Sequence, residues 1–442
     1  MSKFVLIGSG LAGGLLAAYL GRRGHEVDLY ERRGDPREGN MVGGRSINLA
    51  LSTRGIHALQ QIGLADEVLK HAIPMPGRMI HDKSGELHFA PYDVDPNKHI
   101  NSIGRAALNT TVIEAAQRFP NVRVFFNSKC TEVELGSATA QIVSSNPAPD
   151  APAATTARGD AVIGVDGAFS AVRQSMRLNI ENFRYEESYL AHGYKELTIP
   201  PGPDRAWQME KNALHIWPRK SFMMIALPNP DGSFTCTLFW EFEGPRSFAT
   251  TTSEAEVRRF FAEEFPDAVP LMPNLVDEFR TNPTGSLVTV RCAPWVYRDK
   301  VCLVGDAAHA VVPFYGQGMN AAFEDCVVLD ECLQEFPDRL RAFSEYFDRR
   351  KANADALADL ALANFIEMRD KTASKRFRAK KKLDHLLEAA MPGIYLPLYT
   401  MVTFTRIPYS AAKRRAKLQD AIVYTALFAV IAVAAIVILR LL

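Results

Sequence analysis

The chain has 442 residues, 47% of them hydrophobic and 23% charged, with a formal net charge of +1. That length exceeds a usual single domain, and so balanced a charge excludes a general nucleic-acid binder, which needs a basic surface. Six cysteines, at 130, 236, 292, 302, 326 and 332, include no C-x-x-C pair; they offer neither a zinc site nor a disulfide framework and read as reduced core thiols.

Residues 4–7 form an unbroken apolar run, which predicts a strand buried on both faces, and a strand starting at Lys3 leaves no place for a signal peptide. Gly8, Gly10 and Gly13 follow as G-x-G-x-x-G. The first glycine permits a tight turn, the second lets a pyrophosphate approach the backbone, and the third lets a helix pack close to the sheet. Leu15, Leu16, Tyr19 and Leu20 give that helix its apolar face before residues 21–24 end it. A second strand over 27–30 stops at Glu31, where an acid accepts from a ribose hydroxyl. NAD and FAD both fit this fingerprint, and a glycine-rich turn that binds nothing is the bland alternative.

Residues 32–44 are polar and glycine-rich and read as a loop, after which Ile47, Leu49 and Leu51 alternate as in a strand. Ser52 or Thr53 is placed to cap a helix carrying Ile56, Leu59 and Ile62. Residues 79–91 predict a hairpin turning at 83–86. Arg105 heads a helix with Leu108, Val112, Ile113 and Ala116 on one face, and strands follow at 122–126 and 130–135. Residues 146–158, rich in Pro, Ala and Thr, read as a hairpin tip, and 161–165 as a buried strand running into Asp166 and Gly167. From about 190 to 290 the period shifts to two, the mark of an antiparallel sheet inserted between parts of the dinucleotide-binding domain. Residues 300–304 return to a parallel strand, and the chain beyond Ala321 is mostly helical.

Gly305-Asp306 follows that strand, and Gly316-Gln317-Gly318-Met319-Asn320 opens a helix shortly after. An acid at a strand end can bind a polyol hydroxyl. A helix N-terminus presents free N–H groups and a positive dipole end, suited to the negative charge of a reduced flavin. A nicotinamide dehydrogenase has no need of this second element. At the other end, residues 421–439 carry no charge, and Lys413, Arg414, Arg415 and Lys417 precede them. Such a helix is long enough to cross a bilayer, with the basic flank keeping the body on the cytoplasmic side; the alternative is a buried C-terminal helix.

The glycine turn, Asp166-Gly167 and Gly305-Asp306, spaced in this order, make residues 3–325 resemble the FAD-dependent aromatic hydroxylases, the single-component flavoprotein monooxygenases. With the patterning, the resemblance implies an α/β fold in four parts. Residues 1–185 and 291–330 would form a Rossmann-like FAD-binding domain of glutathione-reductase type, and 186–290 an antiparallel-sheet substrate domain. Residues 331–417 would form a C-terminal helical region and 420–442 a transmembrane tail anchor. FAD would be tightly bound in an extended form, its pyrophosphate at Gly8, Gly10 and Gly13 near Arg105, and its adenosine ribose at Glu31 beside Arg32. Asp306 would hold the ribitol. Gly318, Met319 and Asn320 would approach the isoalloxazine, with Leu51 and Cys130 giving backbone contacts. Asp166 is associated with both FAD and NADPH, and NADPH would visit transiently. No metal is expected.

Within that group, segments 45–52, 77–81, 91–92, 192–196, 214–218, 364–368 and 399–404 are similar to the kynurenine 3-monooxygenase family. The resemblance implies NADPH- and O2-dependent hydroxylation of L-kynurenine at ring carbon 3 through a flavin C4a-hydroperoxide, a step of tryptophan catabolism toward NAD. Arg78, Tyr92 and Tyr399 would bind the substrate carboxylate, with Asn364, Glu367 and Met368 near the substrate. Gln317, near the flavin and the ring ketone, and Glu367 would be the catalytic side chains. Read without the resemblance, Arg78 is a surface charge, Asn364 and Glu367 a solvated helix face, and Tyr399 a core aromatic. The nearest rival activity is a flavin hydroxylase for another aromatic, such as a phenolic acid. Members from animals and fungi are tail-anchored in the mitochondrial outer membrane, so the bilayer here would be that membrane or a bacterial inner membrane.

Overall fold

A computed structural model describes residues 1–38, 48–146, 154–368 and 375–441. The apolar run does form a strand, Lys3–Ile7, at the heart of a six-stranded sheet in the order Val296–Tyr297, Val301–Leu303, Ala161–Gly164, Lys3–Ile7, Glu26–Tyr30, Val122–Phe125. All neighbours are parallel except the first pair. Phe4, Val5 and Leu6 are at most 1% exposed because helices cover both faces, and this is why the run does not alternate. The helix Leu11–Arg22 packs on Arg105–Gln117 and Gly318–Glu335 and is buried continuously from Gly13 to Gly21.

The second large sheet has seven strands in the order Thr284–Ala293, Arg184–Ile199, Phe234–Glu241, Phe222–Pro228, Leu214–Arg219, Gly77–His81, Leu87–Pro91. The hairpin expected at 79–91 forms from Gly77–His81 and Leu87–Pro91, and it also joins the edge of this larger sheet. Its first strand pairs in parallel with Leu214–Arg219, with Arg78 opposite Leu214. One face of the sheet packs Trp217, Leu238 and Trp240 on the helices Glu254–Glu264 and Leu275–Thr281. The other packs Ile216, Met223 and Phe239 on Leu357, Leu360 and Phe365 of the long helix Arg339–Ile366.

Three local expectations change. Residues 45–47 and 147–153 lie outside the described residues; the strand expected before Ser52 is Asn48–Leu51, and 154–158 are a strand rather than part of a hairpin tip. Ser52 does precede the helix Thr53–Gln61, but its hydroxyl makes no cap bond. All six cysteines are free and buried.

The last helix, Tyr409–Leu441, divides in character along its length. Tyr409 and Ala412 are fully buried, whereas Ile422, Phe428 and Val433 are 59, 74 and 61% exposed. Length and composition make it a candidate membrane span.

Candidate active site

Two clusters of the expected residues form, and they meet at residues 313–320. The first surrounds the glycine turn. Gly8 has φ +104°, and a Cβ there would lie 2.7 Å from the Val165 carbonyl. A Cβ on Gly13 would lie 1.9 Å from the Gly8 carbonyl, so only glycine permits that approach of helix to strand. A Cβ on Gly10 meets nothing within 4 Å. Open space therefore fronts the N-terminus of Leu11–Arg22, whose first turn holds no acid and no side-chain cap. The free N–H groups there suit a pyrophosphate.

Around this opening stand the other expected cofactor residues. The Glu31 carboxylate accepts from the Ser9 amide at 2.8 Å and the Arg33 amide at 3.0 Å, which fixes its orientation, while Arg32 is exposed. Asp166 follows the strand Ala161–Gly164; its Oδ2 accepts from the Ala171 amide at 2.7 Å, while Oδ1 is buried with no hydrogen-bond partner among the described residues. Burial raises its pKa, partly opposed by Ser170 and backbone amides. Cys130 is close enough that burial and then the Asp166 charge push its thiol up to about 12.

Asp306 begins the short helix Asp306–His309. Its side chain keeps open surface toward the cleft yet is crowded by protein, and that desolvation raises its pKa against the charges of Arg105 and His309. Arg105 is therefore near enough for its charge to act on Asp306. Leu51 is fully buried at the end of Asn48–Leu51. Gly318, Met319 and Asn320 form the first turn of Gly318–Glu335, again with no acid and no side-chain cap. An orphaned carboxylate oxygen, an open glycine cradle and two uncapped helix ends are the donor and acceptor set that FAD requires.

The second cluster is aromatic. Arg78 lies over the rings of Tyr92 and Tyr399, 5.4 and 5.3 Å from their centroids. Tyr399 stacks on Tyr92 at 5.0 Å and on Tyr315 at 5.7 Å. Arg78 Nε and the Tyr92 hydroxyl are buried with no hydrogen-bond partner among the described residues. Such orphans cost about 1–3 kcal/mol each unless something pairs them. Glu367 contributes negative charge that reaches Arg78 and Tyr315. Burial, then the neighbouring phenol and carboxylate, raises the pKa of Tyr315, so it stays a neutral phenol. Asn364 is buried and donates to the Phe314 carbonyl at 2.7 Å and to the Met368 sulfur at 3.3 Å. Arg78 is not a surface charge and Asn364 not part of a solvated face, whereas Tyr399 does pack against the core as an aromatic would.

The FAD binding domain family matches residues 2–361 of the chain. The kynurenine 3-monooxygenase of Myxococcus xanthus is 49% identical over 420 residues, covering 95% of this chain and 89% of that one. The chain belongs to the kynurenine 3-monooxygenase family. The enzyme of that name from Dictyostelium discoideum is 46% identical, covering 92% of this chain and 89% of its own. Among solved structures, a tetrameric form of 2-methyl-3-hydroxypyridine-5-carboxylic acid oxygenase shares the fold with a TM-score of 0.67 at 21% identity, covering 88% and 95% of the two chains.

In this kynurenine 3-monooxygenase family member Gln317 turns inward. Its Nε2 donates to Ser52 Oγ at 3.1 Å, and its Oε1 accepts from the Tyr409 hydroxyl at 3.0 Å. This explains why Ser52 does not cap its own helix. Asn320 accepts from the Ser52 amide at 2.9 Å and donates to the Ala50 carbonyl at 2.8 Å, tying the helix end to the strand beside it.

Beneath lies an ion network that sequence reading did not find. Arg54 pairs with Glu324 at 2.6 Å and sits 4.1 Å over the Tyr409 ring, and Arg350 pairs with Glu324 and Asp325, at 2.6 Å from the latter. Burial would raise both acids, but Arg350 and Arg54 hold Glu324 below the carboxylate range, and His309 and Arg350 do so for Asp325. Tyr315 was also missed, although its place in Pro313-Phe-Tyr-Gly316, just ahead of the helix-opening glycines, was a signal.

Proposed function

We propose that the chain hydroxylates L-kynurenine at ring carbon 3 to 3-hydroxykynurenine, as an FAD-dependent monooxygenase using NADPH and O2. The observation that carries this reading is the buried, unpaired pair of Arg78 Nε and Tyr92 Oη inside an aromatic enclosure. An amino-acid carboxylate on an aromatic body supplies what both lack: a planar anion for the guanidinium and a ring for Tyr92, Tyr399 and Tyr315. The Glu367 carboxylate balances the substrate's ammonium, and Asn364 and Met368 close the wall.

Gly8, Gly10, Gly13, Glu31, Arg32, Arg105, Asp166 and Asp306 would hold the FAD, with the first turn of Gly318–Glu335 at its ring end and Leu51 and Cys130 alongside. When bound, it supplies the reduction by NADPH and the activation of O2. Gln317, fixed by Ser52 and Tyr409, keeps its second amide hydrogen for the ring end or the substrate ketone. The apolar wall excludes water, which would otherwise divert reducing power to peroxide. The aniline nitrogen of kynurenine already enriches the ortho carbon, so the residues orient rather than deprotonate.

The last helix is read as a tail anchor. Lys413 pairs with Asp359, and Arg415 donates to the Gly393 and Ile394 carbonyls at 2.9 and 2.7 Å, which fastens the helix to the body before its exposed apolar part begins. On this reading the basic flank would keep the body on the cytoplasmic side of a bacterial inner membrane or a mitochondrial outer membrane.

Mass analysis of the product from kynurenine, NADPH and air tests the activity. The expected product is one oxygen atom heavier and carries a 3-hydroxyl. Turnover of a phenolic acid in place of kynurenine would refute the substrate.

A further inference from the structure

The two tyrosines of the substrate cluster are joined one residue behind each ring. Asp93 follows Tyr92, and Thr400 follows Tyr399 on the helix Leu398–Thr403. The Thr400 hydroxyl donates to Asp93 Oδ2 at 2.8 Å, and both residues are buried. The same carboxylate accepts from the Asp95 amide at 3.0 Å and from the Lys98 ammonium at 2.9 and 3.0 Å. Burial alone would raise the Asp93 carboxyl. The Asp95 amide, Lys98 and Thr400 outweigh it and hold the group below the usual range, an anion at neutral pH.

A second carboxyl comes in from the helix Lys375–Ala390. Glu388 is 4% exposed, and the groups that face it are Asp93, Lys98 and Thr400. Burial, and next the Asp93 charge, push it up to about 7 against Lys98 and Thr400. Only as the acid does it carry a proton to offer the Asp93 carboxylate; ionised, it is a second buried anion beside the first. The rest of that helix is tied elsewhere, through Asp384 to Tyr395 at 2.7 Å and through Lys380 to Asp420 at 3.2 Å.

We propose that Asp93 and Thr400 are positioning residues that hold Tyr92 and Tyr399 at the substrate carboxylate, and that Glu388 locks this clasp only in its protonated form. The proposal rests on the kynurenine reading of the site. The clasp acts through the two tyrosines, so its effect falls on kynurenine KM and leaves the chemical step alone. The closed form holds one more proton than the open form, in which Glu388 titrates as an ordinary carboxyl. Closure is therefore complete in acid, weakens as pH rises out of the ordinary carboxyl range, and has lost the full contribution above about 7.

The test is kynurenine KM from pH 6 to pH 8.5 in the full chain and in Glu388→Gln, Asp93→Asn and Thr400→Val, with flavin absorbance per protein reporting the fold. The expected result is a KM rise of severalfold between pH 6 and 7 in the wild type, limited to about tenfold per pH unit for one proton, with a plateau above. Glu388→Gln, a neutral donor at every pH, removes the rise. The kynurenine amino group titrates equally in both proteins and cancels in the ratio. Thr400→Val, which keeps the side-chain shape, and Asp93→Asn raise KM at all pH values with kcat held. A Glu388→Gln profile that keeps the wild-type rise, or Thr400→Val with unaltered half-saturation, overturns the clasp. Wild-type protein that carries flavin but does not respond to kynurenine would refute the function itself and the clasp with it.

Discussion

Two glycines three residues apart should fail in opposite ways when each becomes alanine. Gly10 has φ −64° and ψ −174°, allowed for any residue, and a Cβ there meets no atom within 4 Å. Alanine shortens the list of unfolded conformations, worth about 0.4–1 kcal/mol, and is a poorer helix cap than glycine by a similar amount. The flavin-free Gly10→Ala chain should therefore unfold within about 0.5 kcal/mol of the wild type. Its methyl group, however, fills the space left for the pyrophosphate, and FAD affinity should fall at least tenfold, about 1.4 kcal/mol. Gly13→Ala is the reverse case. Its Cβ would sit 1.9 Å from the Gly8 carbonyl, backbone against backbone, where no side chain can yield. Destabilisation should exceed the usual overpacking range of about 1–3 kcal/mol. Thermal unfolding of both flavin-free variants, followed by titration with FAD monitored by flavin fluorescence, measures the two effects separately. A Gly10→Ala chain destabilised as much as Gly13→Ala, or one that binds FAD as the wild type does, would refute the assignment of that space.

Arg78→Lys keeps the charge but loses the planar fork; kynurenine KM should rise at least about tenfold with flavin content unchanged, measured by kynurenine-stimulated NADPH oxidation. Arg350→Met leaves Glu324 and Asp325 short of a buried cation and should cost about 3–5 kcal/mol in chemical denaturation, with the other ion pairs intact. A chain ending at Asp420 should keep the wild-type melting temperature and lose sedimentation with membranes. A chain ending at Pro408 should not fold to the same stability, because it lacks the buried Tyr409 and Ala412. Equal stability of the two truncations, read by calorimetry, would show that the first turns of the last helix carry no packing.

The proposed cofactor half of the candidate site was legible because its determinants are local. The three glycines, the strand before them and Glu31 lie within 31 positions, and each follows from the backbone geometry that one turn needs. The substrate half was legible only through resemblance. Arg78, Tyr92, Tyr315 and Tyr399 are scattered over more than 300 positions, and they meet because Gly77–His81 pairs with Leu214–Arg219 and because the C-terminal helices pack on that sheet. No period marks a tyrosine in a short loop, so Tyr315 passed unnoticed. Ser52 misled for a physical reason: its preference for helix N-termini is real but weak, and the Gln317 amide took the hydroxyl first.

The last helix shows how one apolar composition can serve two environments. Its charge-free stretch predicts exposure to lipid, and Ile422, Phe428, Val433 and Ile436 are uncovered by protein. Its first turn obeys a different rule. Tyr409 is buried beneath the Arg54 guanidinium, and its hydroxyl is spent on Gln317, at the head of the helix that faces the cofactor cleft. A phenol buried without that partner would be costly, and so would the Gln317 carbonyl oxygen left unpaired. The start of the helix is therefore fixed by the same bonds that fix Gln317, and Ser410 adds a bond from its hydroxyl to Asn353 at 2.9 Å. One continuous helix thus carries a charge-free stretch suited to lipid and, in its first turns, part of the frame that holds the candidate site.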